Sequence, residues 1–155
     1  MRQLTEAEQM EIDRRNSHFD RFLDERMPVL KDFMERLELP NPAMVLVEAE
    51  LYLPSVDQWM KDQVVTSNDR AWILTRIGYF IGELLVQRFS GCWFVNDTPD
   101  SRFFGRYVVG KFCSPNSRNA MVDPFHVADA YLSHPPARSL TDIIRQVEAE
   151  LHECA

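Results

Sequence analysis

Along this chain the spacing of apolar positions changes from helical to extended and back, and each change marks an element. From Thr5 to about Arg26 the chain is strongly charged, with a narrow apolar stripe at Phe19, Phe22 and Leu23. Thr5-Glu6-Ala7-Glu8 is a capping box, in which the Thr5 hydroxyl accepts from the Glu8 amide while the Glu8 carboxylate reaches back. Pro28 lacks a donor and clashes with the preceding turn, so a break or kink is expected there. Leu30, Phe33, Met34 and Leu37 then repeat at i, i+3, i+4, i+7, the spacing of one helix face. Leu39-Pro40-Asn41-Pro42 ends that element, and Asn41 with Pro42 supplies a cap and first turn for the next.

Residues 43–53 read as a helix, although Val45-Leu46-Val47 also suits a strand. Pro54-Ser55 reads as a further break, and Val56, Trp59, Met60 and Val64 as a short amphipathic helix. Asn68 or Asp69 is expected to cap a central helix from about Arg70 to Phe89, which Ser90-Gly91 ends. The period then falls to 2. Cys92-Trp93-Phe94-Val95 predicts a strand, 96–101 a loop of turn formers, and Arg102 to Lys111 a second strand rich in aromatic and β-branched residues. Ser114-Pro115-Asn116-Ser117 is a turn before a third strand at 119–122. Pro124 to Leu132 is a short helix, and Ser139-Leu140-Thr141-Asp142 opens a last one carrying Ile143, Ile144, Val147 and Leu151.

Helices, then a small antiparallel sheet of about three strands, then helices define the α+β class. The expected architecture is a set of N-terminal helices and a buried central helix packed on the sheet, with a C-terminal helix. No internal repeat, low-complexity tract or linker divides it, so residues 1–155 read as one domain.

Composition adjusts this picture only modestly. With 155 residues and 45% hydrophobic content the chain can bury roughly two-thirds of its unfolded surface, enough for a core without staples. Its 24 acids against 17 bases give a net charge of −7, which makes nucleic acid an unfavourable partner and opposes docking on an anionic membrane. The most apolar segment, Ala71 to Phe89, is interrupted by Arg76, Glu83, Gln87 and Arg88, short of the ~18 uninterrupted apolar residues of a membrane span. No apolar run follows Met1, so no signal peptide is expected. Three cysteines, Cys92, Cys113 and Cys154, without CxxC spacing suit reduced thiols and the cytoplasm.

The charge is uneven. Residues 1–90 hold 16 acids against 11 bases, residues 91–155 hold 8 against 6, and 101–122 carry Arg102, Arg106, Lys111 and Arg118 with no acid. An acidic helical side and a basic hairpin are therefore expected.

Glu83 is the first candidate for chemistry, because almost every residue from Ile77 to Leu85 around it is apolar. A carboxylate in such surroundings must be paired, or its pKa rises toward the general-acid range. Arg76, Glu83 and Gln87 fall near one another on the helical wheel. The favoured reading is a structural ion pair with Arg76, Arg102 or Arg106, or plain exposure; the sharper one is a catalytic or ligand-binding acid. On a strand, Arg102, Phe104 and Arg106 would share one face and grip a carboxylate, a phosphate or a base. The plainer reading is a solvated face, or arginines paired with the acidic first helix.

Gly78 and Gly82, spaced GxxxG, predict close packing against the central helix. In Asp123-Pro124-Phe125-His126-Val127-Ala128-Asp129, Asp123 is expected to cap a helix and His126 to pair with Asp129. His18, His134 and His152 are scattered and no HExxH or paired-Cys motif occurs, so neither a metal nor another cofactor is expected. A Cys92–His126 nucleophile–base pair has no supporting spacing, and a buried, inert Cys92 is favoured. The three tryptophans and ten phenylalanines read chiefly as core.

Gly78-x-x-x-Gly82-Glu83 followed by Gly91-Cys92-Trp93 and the hairpin resembles small uncharacterised bacterial domains, over residues 68–125. Some of these are immunity proteins of toxin systems. The resemblance implies a small, acidic, cytosolic and non-enzymatic protein, and it carries over no catalytic residue. The expected function is thus a protein-binding domain that masks a basic partner with its acidic N-terminal surface. The alternative is a small-molecule site or enzyme with Glu83 and a hairpin arginine in a cleft. A homodimer through the apolar stripe of the first helix is the third reading.

Overall fold

The computed structural model describes residues 2–113 and 120–153. Its first element, α1 (Glu6–Arg36), opens on the expected capping box, with Glu8 N donating to Thr5 Oγ1 at 3.1 Å and Thr5 N to Glu8 Oε1 at 2.9 Å. Four ion pairs at i, i+4 support its exposed side: Arg15–Glu11, Arg21–Glu25, Lys31–Glu35 and Arg36–Asp32. The expected break at Pro28 does not occur, since α1 runs through it. Pro28 and Asp24, whose carbonyl loses its helical donor, are both exposed, so the missing bond falls on the solvent side of the helix. Beyond the proline, buried Leu30, Phe33 and Met34 hold the second half of the helix on the core.

The helix expected over 43–53 is instead two 3-10 helices, Pro42–Leu46 and Ala49–Tyr52. Glu38 and Asn41 adopt left-handed φ values of 58° and 51°, so the chain reverses sharply before Pro42. Pro54 does not break the chain either. It sits in the first turn of α2 (Leu53–Lys61), where its missing N–H has no helical role. Val64 lies past the end of α2 and is exposed.

The central helix α3 (Arg70–Phe89) has Asp69 at its cap position, but the carboxylate accepts from the Thr66 hydroxyl at 3.0 Å and not from a helix amide. Ser90 ends α3 with φ 54°, and Gly91 N returns to Val86 O at 3.2 Å. The sheet is antiparallel in the order β1 (Cys92–Val95), β2 (Tyr107–Gly110), β3 (Met121–Val122), with Trp93 opposite Val109 and Val109 opposite Val122. The second strand is therefore shorter than the Arg102–Lys111 expected. Buried Asn96 explains the loss: its side chain accepts from Thr98 N and donates to Ser101 Oγ, both at 3.1 Å, fixing a turn. Gly105, with φ +73°, closes that turn by donating to Asn96 O at 2.8 Å. The turn at Ser114-Pro115-Asn116-Ser117, the start of the third strand at Asn119, and Arg118 and Cys154 lie outside the described residues.

Two helices complete the α+β fold. In α4 (Pro124–Leu132), Asp123 caps as expected, its Oδ1 accepting from Phe125 N at 3.0 Å and His126 N at 3.1 Å. At the start of α5 (Leu140–Glu153), Ser139 Oγ accepts from Asp142 N at 3.2 Å. Asp57 of α2 also contributes, taking Leu140 N at 2.7 Å, Thr141 N at 3.3 Å and the Thr141 hydroxyl at 2.6 Å. A carboxylate from another element thus meets the positive end of α5.

The glycines of α3 set how closely the layers approach. A Cβ at Gly82 would lie 1.9 Å from the Trp93 indole, and one at Gly78 would lie 2.2 Å from the Phe125 ring. Phe22 of α1 packs on the same rings, with centroids 5.1 Å from Trp93, 5.0 Å from Tyr79 and 4.3 Å from Tyr107. Phe19, Phe22 and Leu23 of the α1 stripe are therefore packed against the core and only partly exposed. A second aromatic group, Phe33, Trp59 and Trp72, lies toward the other end of α1. Among the described residues no helix is long and apolar enough to cross a membrane.

Candidate functional site

Glu83 is buried, with 2% of its surface exposed. Its Oε1 accepts from Arg26 Nη1 at 2.8 Å and from the Trp93 indole Nε1 at 3.0 Å. The ion pair favoured from the sequence exists, but its cation comes from α1 and not from Arg76, Arg102 or Arg106. Burial of a carboxylate among rings is tolerated because the charge is paired and its oxygen is bonded. The Oε1 atom is thus taken by α1 and β1, and no hairpin arginine bonds to Glu83 among the described residues. Tyr79, next to this pair, donates to Phe22 O at 2.8 Å, and burial raises its hydroxyl pKa.

The other sequence candidates lie apart. Arg76 stacks on the Trp72 ring with its guanidinium carbon 3.8 Å from the centroid, and reaches Asp32 at 3.5 Å. Burial lowers its pKa, against the raising effect of Asp32. Asp32 also binds Arg36 at 3.0 Å, so the two cations that lie over the Trp72 ring share one carboxylate. Arg106 pairs with Asp123 at 3.0 Å, whereas Arg102 lies 4.4 Å over the Phe103 ring. Phe104 is half-buried in the turn, its amide bonded to Ser101 O at 3.0 Å. The shared Arg102–Phe104–Arg106 face does not exist, because residues 102–106 are turn and not strand.

Asp129 does not pair with His126; it takes Arg70 at 2.6 Å. Instead, His126 packs against Phe103, with ring centroids 5.3 Å apart. Cys92 is exposed and not buried, because Trp93 takes the inward position of β1. Among the described residues no three His, Cys, Asp or Glu side chains group closely enough to hold a metal. Glu83, Arg76 and Arg106 are thus held in ion pairs, whereas Arg102 rests on the Phe103 ring.

One surface feature was missed in the sequence. On the 3-10 segment, Met44, Val47 and Leu51 are 40%, 66% and 68% exposed, while Val45, Ala49 and Tyr52 point into the core. Glu48 and Leu51 form a ridge between two shallow clefts of about 380 and 310 Å³, with Met44 in one and Val47 in the other. The surroundings are acidic: residues 35–62 hold six acids against two bases, and Glu38, Glu48 and Glu50 are exposed. Glu50 shares Arg88 with Glu148, which holds the edge of this surface to α3 and α5. The available signal was the i, i+3, i+7 spacing of Met44, Val47 and Leu51, which a helix reading turns inward.

The expected acidity of α1 is present in part. Its i, i+4 pairs neutralise much of it, yet Glu6, Asp13, Asp20 and Asp24 meet no cation among the described residues. Their spacing of 7, 7 and 4 places them on one outward face. No family model, curated protein or solved structure matches the chain.

Proposed function

We propose that this chain is a non-enzymatic protein-binding domain of the immunity type, working in the cytoplasm, and that it masks a basic partner. The observation that carries the reading is the exposed Met44–Val47–Leu51 surface flanked by Glu38 and Glu48. Adjacent apolar side chains held outward on a structured segment favour burial by a partner, and charge complementarity selects a cationic one. The partner surface that fits has apolar side chains entering the two clefts and Lys or Arg around them. The acidic face of α1 adds longer-range attraction to the same kind of partner. The free, exposed thiols of Cys92 and Cys113 suit a reducing compartment. The Arg26 and Trp93 bonds to Glu83 Oε1 favour a structural role for that carboxylate over the alternative small-molecule reading.

A photo-crosslinking residue at Val47, with a control at exposed Arg145, tests the proposal in cells of the native host. The expected adduct is one basic protein seen from position 47 and absent from position 145. When purified, that protein should bind the unmodified chain and lose at least tenfold in affinity to Leu51→Asp and to Glu48→Lys. Both positions are exposed, so the variants fold. Equal binding of Leu51→Asp, or the same adducts from both positions, overturns the reading.

A further inference from the structure

A cleft of about 220 Å³ lies between α4 and α5, closed by β3 and the 101–106 turn, and shares no residue with the Met44–Leu51 surface. Its walls are apolar where Phe103, Val122, Val127, Ile143 and Val147 contribute. Its polar groups are segregated, with Arg102 and His126 beside Phe103, and Glu150 contributed by α5.

The state of these polar groups distinguishes the cleft from a mere surface dent. Asp123 lines it too, but its carboxylate is taken by Arg106 and by the amides of Phe125 and His126. Arg102, by contrast, forms no ion pair and donates no side-chain hydrogen bond among the described residues; its guanidinium only rests on the Phe103 ring. The same ring is flanked by His126, with centroids 5.3 Å apart. An aromatic wall therefore carries a planar cation with no carboxylate partner among the described residues, in a cleft where Val122, Val127, Ile143 and Val147 offer apolar surface. Such an arrangement orients an anionic head while its apolar body is buried.

We propose that this cleft binds a small apolar carboxylate, with Arg102 taking the carboxylate and the hydrocarbon body lying against Phe103, Val127 and Val147. The cavity is below the range of about 300–1,000 Å³ that houses drug-sized ligands, so it takes one ring or a short branched chain. Because this site is distinct from the docking surface, its fate leaves the protein-binding proposal untouched.

The test uses the full chain with methyl-labelled Val and Ile, titrated with 3-phenylpropionate, and in parallel with 3-phenylpropylamine as the cationic counterpart. Saturable shifts at the Val122, Val127, Ile143 and Val147 methyls are expected with the carboxylate and not with the amine. Arg102→Gln should weaken binding at least fivefold, and Ala130→Phe, which fills the cleft from an exposed rim position, should abolish it. Unchanged methyl signals of core residues away from the cleft, at Val45, Val56 and Ile73, confirm that each variant is folded. Absence of saturable shifts, equal response to the amine, or full affinity in Arg102→Gln overturns the proposal.

Discussion

Glu83 and Arg26, 57 residues apart in the chain, meet at 2.8 Å, and the Trp93 indole donates to the same carboxylate oxygen. The three residues come from α1, α3 and β1, so this one oxygen joins the three elements that enclose the aromatic cluster. The Arg26 side chain is 28% exposed against 3% for Glu83, so the carboxylate bears most of the desolvation.

That asymmetry predicts unequal costs. Glu83→Gln keeps an acceptor for Trp93 and should cost about 1–2 kcal/mol. Arg26→Ala leaves a buried carboxylate uncompensated and should cost about 3 kcal/mol. Replacing both residues with leucine should recover most of the loss. Urea midpoints of the three variants check the order; equal stability of all three with the parent rules out a linking role for the pair.

The glycines of α3 give a second prediction. Alanine at Gly82 gains about 1 kcal/mol of helix propensity, yet its Cβ would lie 1.9 Å from an indole that Glu83 holds in place. The expected net result is a loss of more than 2 kcal/mol. Gly78→Ala should cost less, because Phe125 is only half-buried whereas Trp93 is buried and hydrogen-bonded. Thermal unfolding ranks the two variants, and Trp93→Phe should partly rescue Gly82→Ala by removing the clashing ring.

A third prediction concerns acid. Arg2 binds Glu8 at 2.7 Å and Asp100 at 2.9 Å, and its hydrogen bond, joined by the Thr5 amide, lowers the Glu8 pKa to about 2. The folded value lies below that of an unfolded glutamate, about 4.3. This contribution to stability is therefore complete above that value and vanishes as pH falls through about 2. Carboxyl NMR of Glu8 should show the depressed midpoint, and Arg2→Ala should return it toward the ordinary range while fraying the first turn of α1.

The helices were legible wherever one face was apolar and the ends were signalled. Thr5 with Glu8, Asp123 with Pro124, and Ser139 mark their helix starts in the sequence, and the structure uses all of them. Neither Pro28 nor Pro54 breaks the chain, because a proline's effect depends on which side faces water, as at Pro28, and on whether a helix is beginning, as at Pro54. The strand expected over Arg102–Lys111 failed because Asn96, several residues earlier, dictates a turn that local composition does not reveal. For the candidate sites the limit was long-range pairing. Burial demanded a partner for Glu83, but that Arg26 would supply it depends on how α1 crosses α3.

The sheet has a consequence for how the molecule assembles. Strands of four, four and two residues are too short to persist alone, and β2 is buried at three of its four positions. The ladder should therefore form after α1 and α3 have docked around Phe22 and Trp93, with the hairpin condensing onto the helices. Its buried β2 amides should then open only when that helical pair separates. Native-state hydrogen exchange of Val108 and Val109 should accordingly match the rate of global unfolding, in the smallest element of the fold.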